Sequence, residues 1–182
     1  VRAWFDTKQS NVDLFEPIHV MGDMEGDLIR EWVGDLKTGI DIGCGHNKTI
    51  PGAVGVDKAG AGEMGVAGGR KFDASTADIK ADASDLPMED GSQDYIVARH
   101  LFEHLMDPIP VLKEWKRVLK PGGKLILACP NSDVMNTIIL DWTHLHAYTP
   151  KSLGSLLESS GFKVEREHVL HPGISFVMEA VN

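Results

Sequence analysis

No apolar run in this chain approaches the roughly 20 residues that a membrane-spanning helix needs, so a membrane is not an expected partner. The opening Val1-Arg2-Ala3-Trp4-Phe5-Asp6 has no apolar core of the kind a secretory leader carries. It also lacks an initiator Met, which is compatible with processing or truncation. Cysteine is scarce. Cys44 and Cys129 both fall at expected strand ends, which fits a reduced, cytoplasmic protein better than a disulfide scaffold. Basic clusters are missing too. The formal charge is −9, and the densest basic stretch, Lys113 to Lys124, reads as an ordinary helix and the turn after it. An acidic surface repels phosphate backbones, so nucleic acid is not an expected partner. Repeats and a domain linker are likewise absent. The 182 residues therefore read as one domain over 1–182, with an N-terminal extension and helix over 1–36 and a core over 37–182.

What is present starts at Gly39-Ile40-Asp41-Ile42-Gly43-Cys44-Gly45. Ile40 and Ile42 alternate with small or polar residues, as a buried strand entering a turn does. Gly43 and Gly45 let the backbone turn sharply and approach a ligand. A second short apolar strand, Val54-Gly55-Val56-Asp57, ends on a carboxylate, where nucleotide-binding α/β folds hold ribose hydroxyls. The pair predicts a site for an adenosine-containing cofactor. A dinucleotide fingerprint needs a third glycine three residues later, opening a helix that holds pyrophosphate. Lys48 stands there, and no helix fits between Gly45 and Ala53. A nicotinamide cofactor is therefore disfavoured.

Elsewhere, strand and helix signals alternate. Asp23 is an expected cap for a helix reaching about Leu36, and residues 1–22 give no clear signal. The Gly-rich 58–78 reads as irregular or mobile, with room for a helix. Ile79–Ala83 and Asp94–His100 read as strands. Asp107 and Pro108 start a helix whose predicted apolar stripe is Ile109, Leu112, Trp115 and Leu119, ended by Pro121-Gly122-Gly123. Lys124–Cys129 is a further strand. Thr149 and Pro150 start another helix, stopped at Gly161. The strands Phe162–Leu170 and Gly173–Val181 close the chain as an antiparallel hairpin. The fold class expected is α/β, with a mostly parallel sheet and helices on both faces.

Five ordered blocks carry a resemblance: Asp41-x-Gly43-x-Gly45; Asp57; Asp82-Ala83-Ser84-Asp85-Leu86-Pro87; Arg99-His100-Leu101-Phe102-Glu103-His104; and the run from Leu112 to Gly123 with Pro130-Asn131. Over about residues 37–165 the chain resembles the class I S-adenosylmethionine-dependent methyltransferases, in the type 11 small-molecule branch. The resemblance implies a Rossmann-like methyltransferase fold, S-adenosyl-L-methionine as cofactor, and methyl transfer to a small-molecule acceptor. It implies that Asp41, Gly43, Cys44 and Gly45 line the methionine end and that Asp57 holds the ribose. Lys58, Asp82 and Ala83 would meet the adenine, and the backbone near Arg99 the amino group. The alternative is a non-catalytic S-adenosylmethionine-binding module or partner subunit. The chain departs from the family pattern in having a short loop where most members have a helix between the first two strands. That removes helix-dipole assistance, and Asn47 or Lys48 are the residues placed to compensate.

Methyl transfer needs in-line placement and exclusion of water, and a base where the nucleophile carries a proton. The candidates are His100 and His104, with Glu103 between them, after the fourth strand, and His144 in Asp141-Trp142-Thr143-His144-Leu145-His146-Ala147-Tyr148. That second segment is similar to the His-containing segment of quinone-precursor O-methyltransferases. Each of these histidines has a plain structural alternative, packing or hydrogen bonding to backbone. Trp142, Tyr148 and Phe102 are expected to wall the substrate pocket, and Trp115 to lie in the core. No close ligand spacing enforces a metal site, and no metal is expected.

Overall fold

The computed structural model describes residues 23–67 and 70–182, the backbone alone at 66, 67 and 70–73. The expected extension over 1–22 lies outside the described residues. The central sheet is built from β1 (Gly39–Ile42), β2 (Val54–Asp57), β5 (Ile79–Lys80), β6 (Gln93–Arg99), β7 (Leu119–Pro130), β8 (Lys163–Leu170) and β9 (Ser175–Val181). Its order is β5-β2-β1-β6-β7-β9-β8. All pairs are parallel except β7 with β9 and β8 with β9, so the C-terminal hairpin is antiparallel as expected. The chain leaves β1 in one direction through β2 and β5, then returns to β6 on β1's other side. That reversal opens a crevice at the C-terminal ends of β1 and β6, where such sheets bind ligands.

Helices cover both faces. Helix α1 (Met24–Val33) starts at Asp23, whose carboxylate accepts from the Gly26 N–H at 3.1 Å. It stops earlier than the sequence suggests, because Gly34 takes φ +59° and folds its N–H back onto the Arg30 carbonyl. Ile29, Trp32 and Val33 pack on Tyr95, Val97 and Ile126 of the sheet. Helix α2 (Pro108–Val118) is capped by Asp107 and α3 (Pro150–Ser159) by a Thr149–Ser152 capping box. Both lie on the opposite face, burying Leu112, Trp115, Leu153 and Leu157.

Five expectations are corrected. The buried stripe of α2 is Val111, Leu112, Trp115 and Val118, while Ile109 is 53% exposed. The helix ends at Val118, so Leu119 already belongs to β7. The Gly-rich stretch forms a separate two-stranded hairpin of β3 (Met64–Ala67) and β4 (Arg70–Ala74). Gly62 at φ +79° donates its N–H to the Ser75 carbonyl at 3.0 Å, and Ser75 N–H donates to the Glu63 carbonyl at 2.8 Å, which sets up its base. The strand from Ile79 is cut to two residues by a turn at Asp82–Asp85. Finally, Phe102 and Tyr148 do not wall a pocket. Their rings pack together in the core, Phe102 also against Trp115, and Trp142 is 76% exposed. Among the described residues, no helix is long and apolar enough to cross a membrane.

Candidate active site

A cavity of about 630 Å³ opens at the ends of β1, β2 and β6, within the size range of cofactor and small-molecule sites. Its floor is the turn after β1. Gly43 has φ +71°, and a Cβ there would meet the Leu101 side chain at 2.9 Å. Gly45 has φ +51°. Both positions favour residues without a Cβ, which keeps this backbone within reach of a ligand. Asp57 lines the cavity at the end of β2 and accepts from the N–H groups of Gly45 and Ala59, each at 2.9 Å. The carboxylate is thereby aimed before any ligand arrives.

Asp41 also lines the cavity, but it has structural work. It is 1% exposed and accepts from Thr49 N–H at 2.5 Å and Ile50 N–H at 3.2 Å. It pins the loop that replaces the missing helix. Burial pushes its pKa up to about 6, against those two bonds. Cys44 is buried beside it, and burial, then Asp41 and Asp57, push its thiol up to about 12, so it is no nucleophile. Asn47 lines the cavity, whereas Lys48 turns away to Asp78 at 2.5 Å.

At the far side of the donor region, Lys58, Ala81 and Ala83 line the cavity. Asp82 is not among the lining residues. One of its oxygens is paired with Lys58 at 2.8 Å and the other accepts from Ser84, and these contacts bring its pKa down to about 2.

The end of β6 is an ion cluster. Arg99 reaches Glu25 at 2.5 Å and Asp23 at 2.6 Å, tying the start of α1 to the sheet. His100 has φ +51°, sparsely populated for a residue with a Cβ. This turn places its ring 2.9 Å from Glu25 and 3.4 Å from Glu103. Lost hydration lowers the His100 pKa, but Glu103 and Glu25 outweigh it and push it up to about 10. Burial raises Glu25, and His100 and Arg99 bring it down to about 2. Glu25 went unremarked in the sequence. Its one signal is a carboxylate on the face of α1 that otherwise meets the sheet.

Glu103 and His104 lie on a single 3-10 turn, Phe102–His104. The 141–148 segment is fastened there because Leu145 and His146 donate their N–H groups to the Glu103 carbonyl at 2.8 and 3.1 Å. The contact brings His144 against His104, with ring centroids 4.7 Å apart. His104, Leu101, Leu105 and Thr143 line this end of the cavity. His144 sits behind them, its side chain 8% exposed. His146 turns aside to the Leu105 carbonyl.

The family model described as "Methyltransferase domain" matches residues 40–127. The chain is 27% identical over 142 residues to the ubiquinone biosynthesis O-methyltransferase of Bordetella bronchiseptica, covering 70% of this chain and 56% of that one. It is 31% identical over 140 residues to the demethylmenaquinone methyltransferase of Bacillus mycoides, covering 63% and 59%. The chain thus spans under two thirds of the length of these relatives. Its fold matches the crystal structure of a SAM-dependent methyltransferase from Aquifex aeolicus with TM-score 0.59 at 18% identity, covering 86% of this chain and 89% of that one. The Gly43–Gly45 turn, the Asp57 strand end and the sheet order give the chain the fold and the donor-site pattern of the class I S-adenosylmethionine-dependent methyltransferases.

Proposed function

We propose that this protein transfers the methyl group of S-adenosylmethionine to a small-molecule acceptor. The observation that carries the proposal is one continuous cavity joining Asp57 at its donor end to His104 and Thr143 at the other. A concave site mixing apolar Leu101 and Leu105 with His104 and Thr143 suits a small molecule. The relative named for ubiquinone biosynthesis supports the same class of acceptor. In this reading the backbone of 43–45 cradles the methionine end and Asp57 holds the ribose. Lys58 and Ala83 flank the adenine, and the backbone at Arg99 meets the amino group.

The sulfonium already activates the methyl group, so the chain's task is alignment and exclusion of water. His104 is the imidazole that meets the acceptor, and His144 backs it. His100 acts as a positioning residue. Held as an imidazolium between two carboxylates, it has no lone pair to take a proton.

A labelled-methyl assay over hydroxyl, amine and thiol acceptors, with calorimetry on S-adenosylhomocysteine, tests the proposal. Expected are S-adenosylhomocysteine binding and label in one acceptor class. Binding with no transfer to any acceptor would favour the non-catalytic binding module.

A further inference from the structure

Behind the acceptor end of the cavity, three side chains converge without satisfying one another. Glu103 is 1% exposed, and neither of its carboxylate oxygens has a hydrogen bond among the described residues. The His104 Nε2 lies 4.0 Å from its Oε1, and the His144 Nε2 lies 3.9 Å away. Those separations are too long for direct hydrogen bonds.

The other ring nitrogens decide what faces Glu103. His144 Nδ1 is 2.7 Å from the Thr137 carbonyl, and His104 Nδ1 is 3.1 Å from the Thr143 carbonyl. A carbonyl only accepts, so in each ring Nδ1 carries the hydrogen, and in the neutral ring Nε2 presents its lone pair. Two lone pairs and a buried carboxylate then point into one small space. A backbone carbonyl that fixes the tautomer through the far nitrogen is the usual support for an imidazole metal ligand.

Local charge agrees. Asp141 adds a second carboxylate close to His104 and His144, whereas Asp23 and Glu25 are taken up by Arg30, Arg99 and His100. One ligand atom from each of Glu103, His104 and His144 lies within 4.8 Å of the others. Zinc–ligand bonds of roughly 2.0–2.2 Å require these atoms to draw in by a few tenths of an ångström.

The geometry points to a binding site for one borderline divalent metal ion, of the zinc or manganese type, held by Glu103, His104 and His144 behind the acceptor end of the cavity. Two imidazoles and a carboxylate select such ions over magnesium or calcium. Three protein ligands leave a coordination position open, and His104 lines the cavity. The use of that position rests on the methyl-transfer reading. A metal-bound acceptor hydroxyl loses its proton to solvent more readily. Its oxygen forms the new bond to the methyl carbon as the carbon–sulfur bond breaks. The electron pair goes to sulfur, and S-adenosylhomocysteine leaves.

The test is calorimetry of Zn²⁺ and Mn²⁺ with chelator-treated protein, together with the visible spectrum of the Co²⁺-loaded form. Expected is one ion per chain and a Co²⁺ spectrum typical of mixed nitrogen and oxygen ligands. His144→Ala should weaken binding by more than the roughly 10- to 100-fold lost with an outer-shell partner. Glu103→Gln should do the same with the fold intact by circular dichroism, and the exposed His168→Ala should change nothing. No binding, or binding indifferent to both His144→Ala and His104→Ala, would overturn the site. S-adenosylhomocysteine is titrated in parallel. If it fails to bind while His144→Ala still abolishes metal binding, the metal site stands and the methyl-transfer reading falls.

Discussion

The two ends of the cavity are built by opposite means. The donor end is made of short-range chemistry. Gly43, Gly45 and Asp57 sit on adjacent strand ends, and Asp57 is already committed to the Gly45 and Ala59 N–H groups. The acceptor end is made of long-range chemistry. Arg99 and His100 are held by Asp23 and Glu25 from α1, and Glu103 is met by His144 from a distant loop. One end has its polar atoms satisfied before a ligand arrives. The other keeps a buried carboxylate without a hydrogen bond. Binding sites can be assembled from locally encoded parts, whereas groups that act on an acceptor need opposed charges that only a folded chain can hold together.

That contrast can be broken most forcefully at Glu25. Glu25→Gln leaves Arg99 and His100 with one carboxylate fewer; because these partners are 28% and 42% exposed, the cost should be about 3 kcal/mol, the low end of the range for a fully buried pair. Urea unfolding at neutral pH should show a loss of that order. Glu25 is held down to about 2, so its contribution is present above the ordinary value of 4.5 and fades as pH falls from there towards 2. The wild-type and Glu25→Gln stability curves should therefore converge in acid. Parallel curves would mean that the cluster does not couple to folding.

Asp41 gives the opposite sign. Its folded pKa is raised from 3.8 to about 6, so the native state binds the proton more tightly than the unfolded chain. Its stabilising influence is present below 3.8 and is lost as pH climbs to 6, by up to about 3 kcal/mol. Asp41→Asn keeps an acceptor for the Thr49 and Ile50 N–H groups and removes the titration. Its melting temperature relative to wild type should rise as pH goes from 4 to 7, and a flat difference would refute the burial account.

Asp57→Ala sharpens the contrast from the donor side. Hydrogen bonds to a charged group are worth about 1.5–3 kcal/mol, so S-adenosylhomocysteine affinity should fall roughly 10- to 100-fold. Zn²⁺ affinity should hold, because the two ends are built separately. The smallest effect belongs to Trp142→Ala. The ring is 76% exposed, and stability should move within about 0.5 kcal/mol, with acceptor KM unchanged.

Local chemistry explains what was readable beforehand. The caps at Asp23, Asp107 and Thr149 and the glycine turn after β1 depend on neighbours a few residues away, and each is where the residue pattern places it. The less readable parts depend on distant partners. Ile109 looks apolar enough for the core, but the helix phase turns it outward. Phe102 and Tyr148 look like pocket aromatics until Trp115 packs against Phe102 in the core. The hairpin over 64–74 is hidden by glycines that suit many conformations.

The amino-acid sequence by itself determined the strand and helix alternation, the adenosine-type turn and the family resemblance, because these rest on periodicity and close spacing. Tertiary structure alone decided that Glu25 would restrain His100 and that Glu103 would stand buried between His104 and His144. A charged side chain's chemistry is set by the charges and the water around it, and both are known only once the distant segments have met.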